Sequence, residues 1–131
     1  MLILWQGYTA NRNRTLSHLY SHDIGNTVFL AGDSHANWVS DLVWLDEKPY
    51  DQVTGEGSIG VEFAGTAVSS SGGSGPISTN NRRSAGLVSD NPELQWNELY
   101  YRGYYELQIS PQAIQTSYFG EAQESCLLHA Q

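Results

Sequence analysis

The chain has 131 residues, 40% of them apolar, with 15 aromatics (four Trp, eight Tyr, three Phe). That is enough apolar surface for one packed domain, too much for a disordered chain, and too short a length for a second independent domain. Fourteen acids against six bases leave a net charge of −8, which opposes both the phosphate backbone of nucleic acids and an anionic lipid surface. No nucleic acid and no membrane is therefore expected as a partner. The single cysteine, Cys126, provides no internal disulfide.

Residues 2–5, LILW, form a short apolar run closed by Gly7, the pattern of a buried strand. No basic segment precedes it, and it is too short for a signal peptide or a membrane span. From Thr9, TANRNRTLSHLYSH places Leu16, Leu19 and Tyr20 on one helical face, with Thr9 as the N-cap candidate and Gly25 beyond the end. His18 and His22 lie four apart on this helix and read as a solvated face. Residues 28–31 are a second apolar run, ending at Gly32, Asp33, Ser34 and His35. Residues 38–45 read as another strand, and DEKPYDQVTGEG as a loop broken by Pro49 and Gly55.

In SIGVEFAGTAV, Ile59, Val61 and Phe63 alternate with Gly60, Glu62 and Ala64, which is strand periodicity. Residues 69–91 are rich in Ser, Gly and Asn and read as a mobile surface loop. A short helical turn is expected after Pro92, then a strand over residues 104–109. A hairpin link at residues 110–112 leads into a further alternating segment, AIQTSYFG. Residues 121–131 read as an unstructured tail. The whole is β-rich with one clear helix, and at least two strands lack evident partners.

The chemistry concentrates in VFLAGDSHANW. An ionised carboxylate and a neutral imidazole two residues apart at a strand exit suit a cation: Asp33 offers hard oxygen and His35 borderline nitrogen. Gly32 leaves room for a bound group, and Asn37 adds a neutral polar group for a substrate anion. Against this stands the plainer role of such residues in turn capping and local hydrogen bonding. Ser34 next to His35 is not a nucleophile and base arrangement, and SSSGGSG lacks the lysine of a phosphate-binding loop.

Four stretches, WQGYTANRNR, VFLAGDSHANWVSDL, VEFAGTAVSS and NPELQWNELYYRGYYELQIS, occur in an order that resembles the C-terminal part of PhoD-like alkaline phosphatases, a branch of the calcineurin-like metallophosphoesterases. The resemblance covers residues 3–119 in islands and assigns residues 1–120 to that part of the catalytic domain. It implies an α/β fold: a partial metallophosphatase-type β-sandwich flanked by helices. It also implies hydrolysis of phosphomonoesters and phosphodiesters, iron and calcium as cofactors, and Asp33 and His35 as metal ligands, with Asn37 on the substrate side. Metal-bound water would lose its proton near neutral pH and attack phosphorus. Gln6 stands where the family has an acid, and the earlier ligand motifs of the superfamily are absent from these 131 residues. The chain is therefore expected to carry one corner of the site and to be inactive alone.

A second reading is a non-enzymatic β-rich binding module. In it Trp38, Trp44, Trp96 and the tyrosines 100, 101, 104 and 105 serve as stacking platforms for sugars. The same aromatics also suit a packed core.

Overall fold

The computed structural model describes residues 8–32, 34–44, 47–70 and 72–121. The expected strand at residues 2–5, Gln6, Asp33, Leu45, Cys126 and residues 122–131 lie outside them. The first helix, α1, is Thr9–Ser21. Thr9 is its first helical residue and Tyr8 occupies the cap position without a side-chain bond. The helix ends through His22, and the left-handed conformations that turn the chain fall on Asp23 and Asn26, not on Gly25.

Strands β1 (Thr27–Ala31), β2 (Asn37–Leu42), β3 (Gly60–Ala64) and β4 (Leu94–Glu98) form one sheet in the order β1-β3-β2-β4. β1 and β3 are parallel, and β2 is antiparallel to both β3 and β4. A second helix, α2, spans Ile77–Asp90. Strands β5 (Arg102–Ile109) and β6 (Ile114–Glu121) form a separate hairpin. Its link is held by Ser110, whose hydroxyl accepts the N–H groups of Gln112 and Ala113. Every described strand has a partner; β1 and β4 are the edges of the four-stranded sheet.

Directly paired residues share a face. The register therefore aligns Phe29, Glu62 and Ser40 in one row and Ala31, Ala64 and Trp38 in the next, all on one face. Leu16 and Leu19 of α1 bury themselves with Leu42, Ile59 and Phe29, while Leu87 and Val88 of α2 pack beside Trp38, Ala64 and Leu94. Each fully buried leucine contributes roughly 1.5–3 kcal/mol by leaving water. The hairpin covers the opposite face. Trp96, paired with Val39, lies 4.8 Å from the Tyr118 ring, and the Tyr118 hydroxyl donates to the Trp38 carbonyl at 2.9 Å. The molecule is thus a layered α/β structure, rich in strand, with helices on one face of the sheet and the hairpin on the other.

Three further expectations change. Residues 69–91 are not one loop, because α2 occupies their second half. Its stripe is polar enough to hide it: Asn80, 1% exposed, donates to the carbonyls of Ser74, Gly75 and Pro76, and the Ser84 hydroxyl bonds Asn97. Local bonds at Asn80, the Ser84 bond to Asn97 and the packing of Leu87 and Val88 hold this helix without a long apolar stripe. The short turn after Pro92 is present, closed by the Leu94 N–H on the Asn91 carbonyl, but it leads directly into β4, a strand not expected before Tyr104. Finally, β6 continues through Glu121, the first residue of the expected tail.

Candidate metal centre

β4 runs in the same direction as β3, since both oppose β2. The C-terminal ends of β1, β3 and β4 therefore collect at one edge, where ligands commonly bind in such sheets. The connection from β1 to β2, of which residues 32 and 34–36 are described, spans β3, which lies between those two strands. It is fastened there. The Gly65 N–H donates to the Ala31 carbonyl at 2.9 Å, and the Gly65 carbonyl accepts from the Ser34 N–H at 3.4 Å. The Ser34 hydroxyl faces the carbonyls of Ala36 and Gly65 at 2.5 and 3.1 Å.

His35 sits at the crest of this connection, solvent-exposed, with φ of 60°. A left-handed conformation costs a residue other than glycine on the order of 1–2 kcal/mol, so packing on both sides must hold it. Asp33, the other candidate ligand, falls outside the described residues. Among the described residues no group of three or more His, Cys, Asp or Glu side chains is placed to hold a metal ion. A carboxylate and an imidazole suit a hard or borderline metal, yet two ligands fit a corner of a metal centre and not a whole one. His18 and His22 are both exposed, with rings 4.1 Å apart, and no further ligand joins them among the described residues.

Asn37 is 5% exposed and both ends of its amide are engaged. Its Oδ1 accepts the Thr66 N–H at 3.0 Å, and its Nδ2 donates to Glu98 Oε2 at 3.2 Å. Glu98 in turn accepts the N–H groups of Tyr100 and Tyr101. Sequence reasoning did not single out Glu98. The signal available was an acid closing an alternating segment just before a tyrosine pair.

Beneath this edge lies Glu62, 4% exposed, accepting the Trp38 indole N–H at 3.0 Å. Burial pushes its carboxyl above the ordinary range, and the Trp38 bond offsets part of that. Burial also raises the hydroxyls of Tyr105 and Tyr118, with the Glu62 charge adding to both. The aromatics weighed as sugar platforms mostly serve packing. Trp38 is 5% exposed, Trp44 packs against the α1 cluster, Trp96 rests on Tyr118, and the Tyr105 hydroxyl reaches the Ala31 carbonyl.

A family model for PhoD-like phosphatases matches residues 3–118. The chain belongs to the PhoD-like phosphatase family. Alkaline phosphatase D of Bacillus subtilis (strain 168) is 33% identical to this PhoD-like chain over 115 residues, which are 87% of the chain and 18% of that protein. A solved structure of PhoD matches it with a TM-score of 0.58 at 30% identity, covering 79% of this chain and 18% of that one. The PhoD-like chain thus spans less than a fifth of the length of these two relatives. Among the described residues no helix is long and apolar enough to cross a membrane.

Proposed function

We propose that residues 1–120 are the C-terminal part of a PhoD-like catalytic domain and contribute one corner of its metal centre, acting on phosphate mono- and diesters. Asp33 and His35 are the metal ligands of this reading, and iron and calcium the metals. The observation that carries it is the His35-bearing connection, pinned across the ends of the sheet's parallel strands. When bound, such metals activate water for in-line attack and neutralise the charge developing on phosphate oxygens. The chain's own part is geometric. His35 lies on the connection, and Asn37, whose amide is taken up by Thr66 and Glu98 and not left facing a substrate, holds the start of β2 below it. A net charge of −8 is compatible with an anionic substrate because cations, not Lys or Arg, meet the phosphate.

Two ligands do not fix a multinuclear centre, so the chain alone is expected to bind iron or calcium weakly and to be inactive. The test is titration of the purified chain with each metal and assay of an aryl phosphate, beside an Asp33→Ala, His35→Ala double variant. Binding lost in the variant supports the assignment. Identical binding by both, or clear hydrolysis by the native chain above the variant, overturns it.

A further inference from the structure

We propose that Glu98 is a positioning residue for the His35 connection, acting through the amide of Asn37. The inference rests on the reading of His35 as a metal ligand, but the clamp itself stands on hydrogen-bond chemistry. A backbone N–H is only a donor and a carboxylate only an acceptor. Thr66 presents its N–H to one end of the Asn37 amide, and Glu98 its carboxylate to the other. The amide therefore has one permitted orientation, Oδ1 toward Thr66 and Nδ2 toward Glu98. At 5% exposure, a mismatched end finds little water to rescue it.

Three strand ends meet in this clamp. Asn37 opens β2 two residues after His35, Thr66 follows β3, and Glu98 closes β4. Glu98 is itself anchored by the N–H groups of Tyr100 and Tyr101, so its carboxylate is a fixed point and not a mobile side chain. The left-handed φ at His35 requires rigid ends on the segment that contains it. Ser34, bonded to Gly65, supplies one end, and the Glu98–Asn37–Thr66 chain supplies the other.

Swapping amide and carboxylate tests the clamp. Glu98→Gln allows an amide N–H to face the Asn37 amide N–H, and Asn37→Asp places a carboxylate against Glu98; each single change disturbs the chain of donors and acceptors. In the double variant the carboxylate introduced at position 37 accepts from both the Thr66 N–H and the amide introduced at position 98. Net charge is unchanged, and the clamp is rebuilt in the opposite sense. Two readouts are taken on the full chain: exchange of the Thr66 amide hydrogen, and broadening of the His35 ring resonances by Mn²⁺, a paramagnetic hard cation.

Each single variant is expected to speed Thr66 exchange and weaken the Mn²⁺ effect about 10-fold, with the double variant within about 2-fold of the native chain in both. Native-like exchange in Glu98→Gln, or additive losses in the double variant, overturns the clamp. If neither single variant folds, the double variant decides: native-like exchange supports the proposal and a failure to fold overturns it. Rescue of exchange without any Mn²⁺ effect in the native chain upholds the clamp but refutes the metal reading of His35, and with it the positioning role.

Discussion

Trp38 and Glu62 are joined inside the helix-covered face of the sheet, indole N–H to carboxylate, at 3.0 Å. They lie on neighbouring strands, one row apart in the register. The bond satisfies the indole and one carboxylate oxygen, yet leaves an acid that burial drives toward its neutral form.

Replacing that acid by its amide gives the first prediction. The native carboxyl is raised above the ordinary value of 4.5. Its favourable contribution is therefore complete below 4.5 and is lost as pH rises through the native value. Glu62→Gln keeps an oxygen for the Trp38 N–H and removes the charge. Thermal unfolding at pH 8 is expected to show a higher Tm for the variant, with the difference gone at pH 4. An unchanged or lower Tm at pH 8 would sink the idea.

Alkaline behaviour follows from the tyrosines. Burial raises Tyr20, Tyr50, Tyr105 and Tyr118 above the ordinary value of 10.0. Their stabilising contribution is intact below 10 and declines as pH rises beyond it, where unfolded tyrosines ionise but native ones hold their protons. Denaturant midpoints measured from about pH 9 to about pH 11.5 should fall. Tyr118→Phe is expected to cost about 1 kcal/mol at pH 8 by losing its bond to the Trp38 carbonyl, and to flatten the alkaline fall. A fall as steep as in the native chain would contradict the assignment to Tyr118.

Gly65 lies under the hairpin. A Cβ there would come within 2.9 Å of the Tyr105 ring. Gly65→Ala should cost about 1–3 kcal/mol by overpacking, and much less in a Tyr105→Leu background. Chemical denaturation of the four chains gives the coupling directly; equal costs in both backgrounds would show that the ring is not what the methyl meets.

The left-handed φ of 60° at His35 carries a backbone cost. His35→Gly should relieve the left-handed backbone, worth about 1 kcal/mol after the extra freedom of an unfolded glycine, and, on the proposed metal reading, abolish metal binding at this corner. Calorimetry and a calcium titration on the same sample separate the two effects. A destabilised variant would mean that the imidazole contributes more to the fold than its backbone costs.

Much of this was legible in the chain itself. Leu16, Leu19 and Tyr20 declare α1, and alternation in GVEFA and in YYELQI declares β3 and β5, because burial against one neighbour imposes a period. GDSHAN reads as a strand exit, and Ser34 to Asn37 do follow the end of β1. Helix α2 was hidden because Asn80 and Ser84 hold it through polar bonds that no apolar stripe announces. Glu98 was hidden for a related reason. Its importance lies in facing Asn37 across 61 positions of chain, and such a meeting is decided by strand order, not by local pattern.

The hairpin of β5 and β6 shares no ladder with the four-stranded sheet; side-chain tips at Tyr105 and Tyr118, with the Trp96 ring, attach it. A layer attached by tips peels as a unit. Under mild denaturant it should detach before the sheet melts, so the first amides of the sheet layer to lose protection are those that the hairpin shields, while the β1–β3 ladder persists. The edge that carries His35 would then remain assembled in a partly opened molecule.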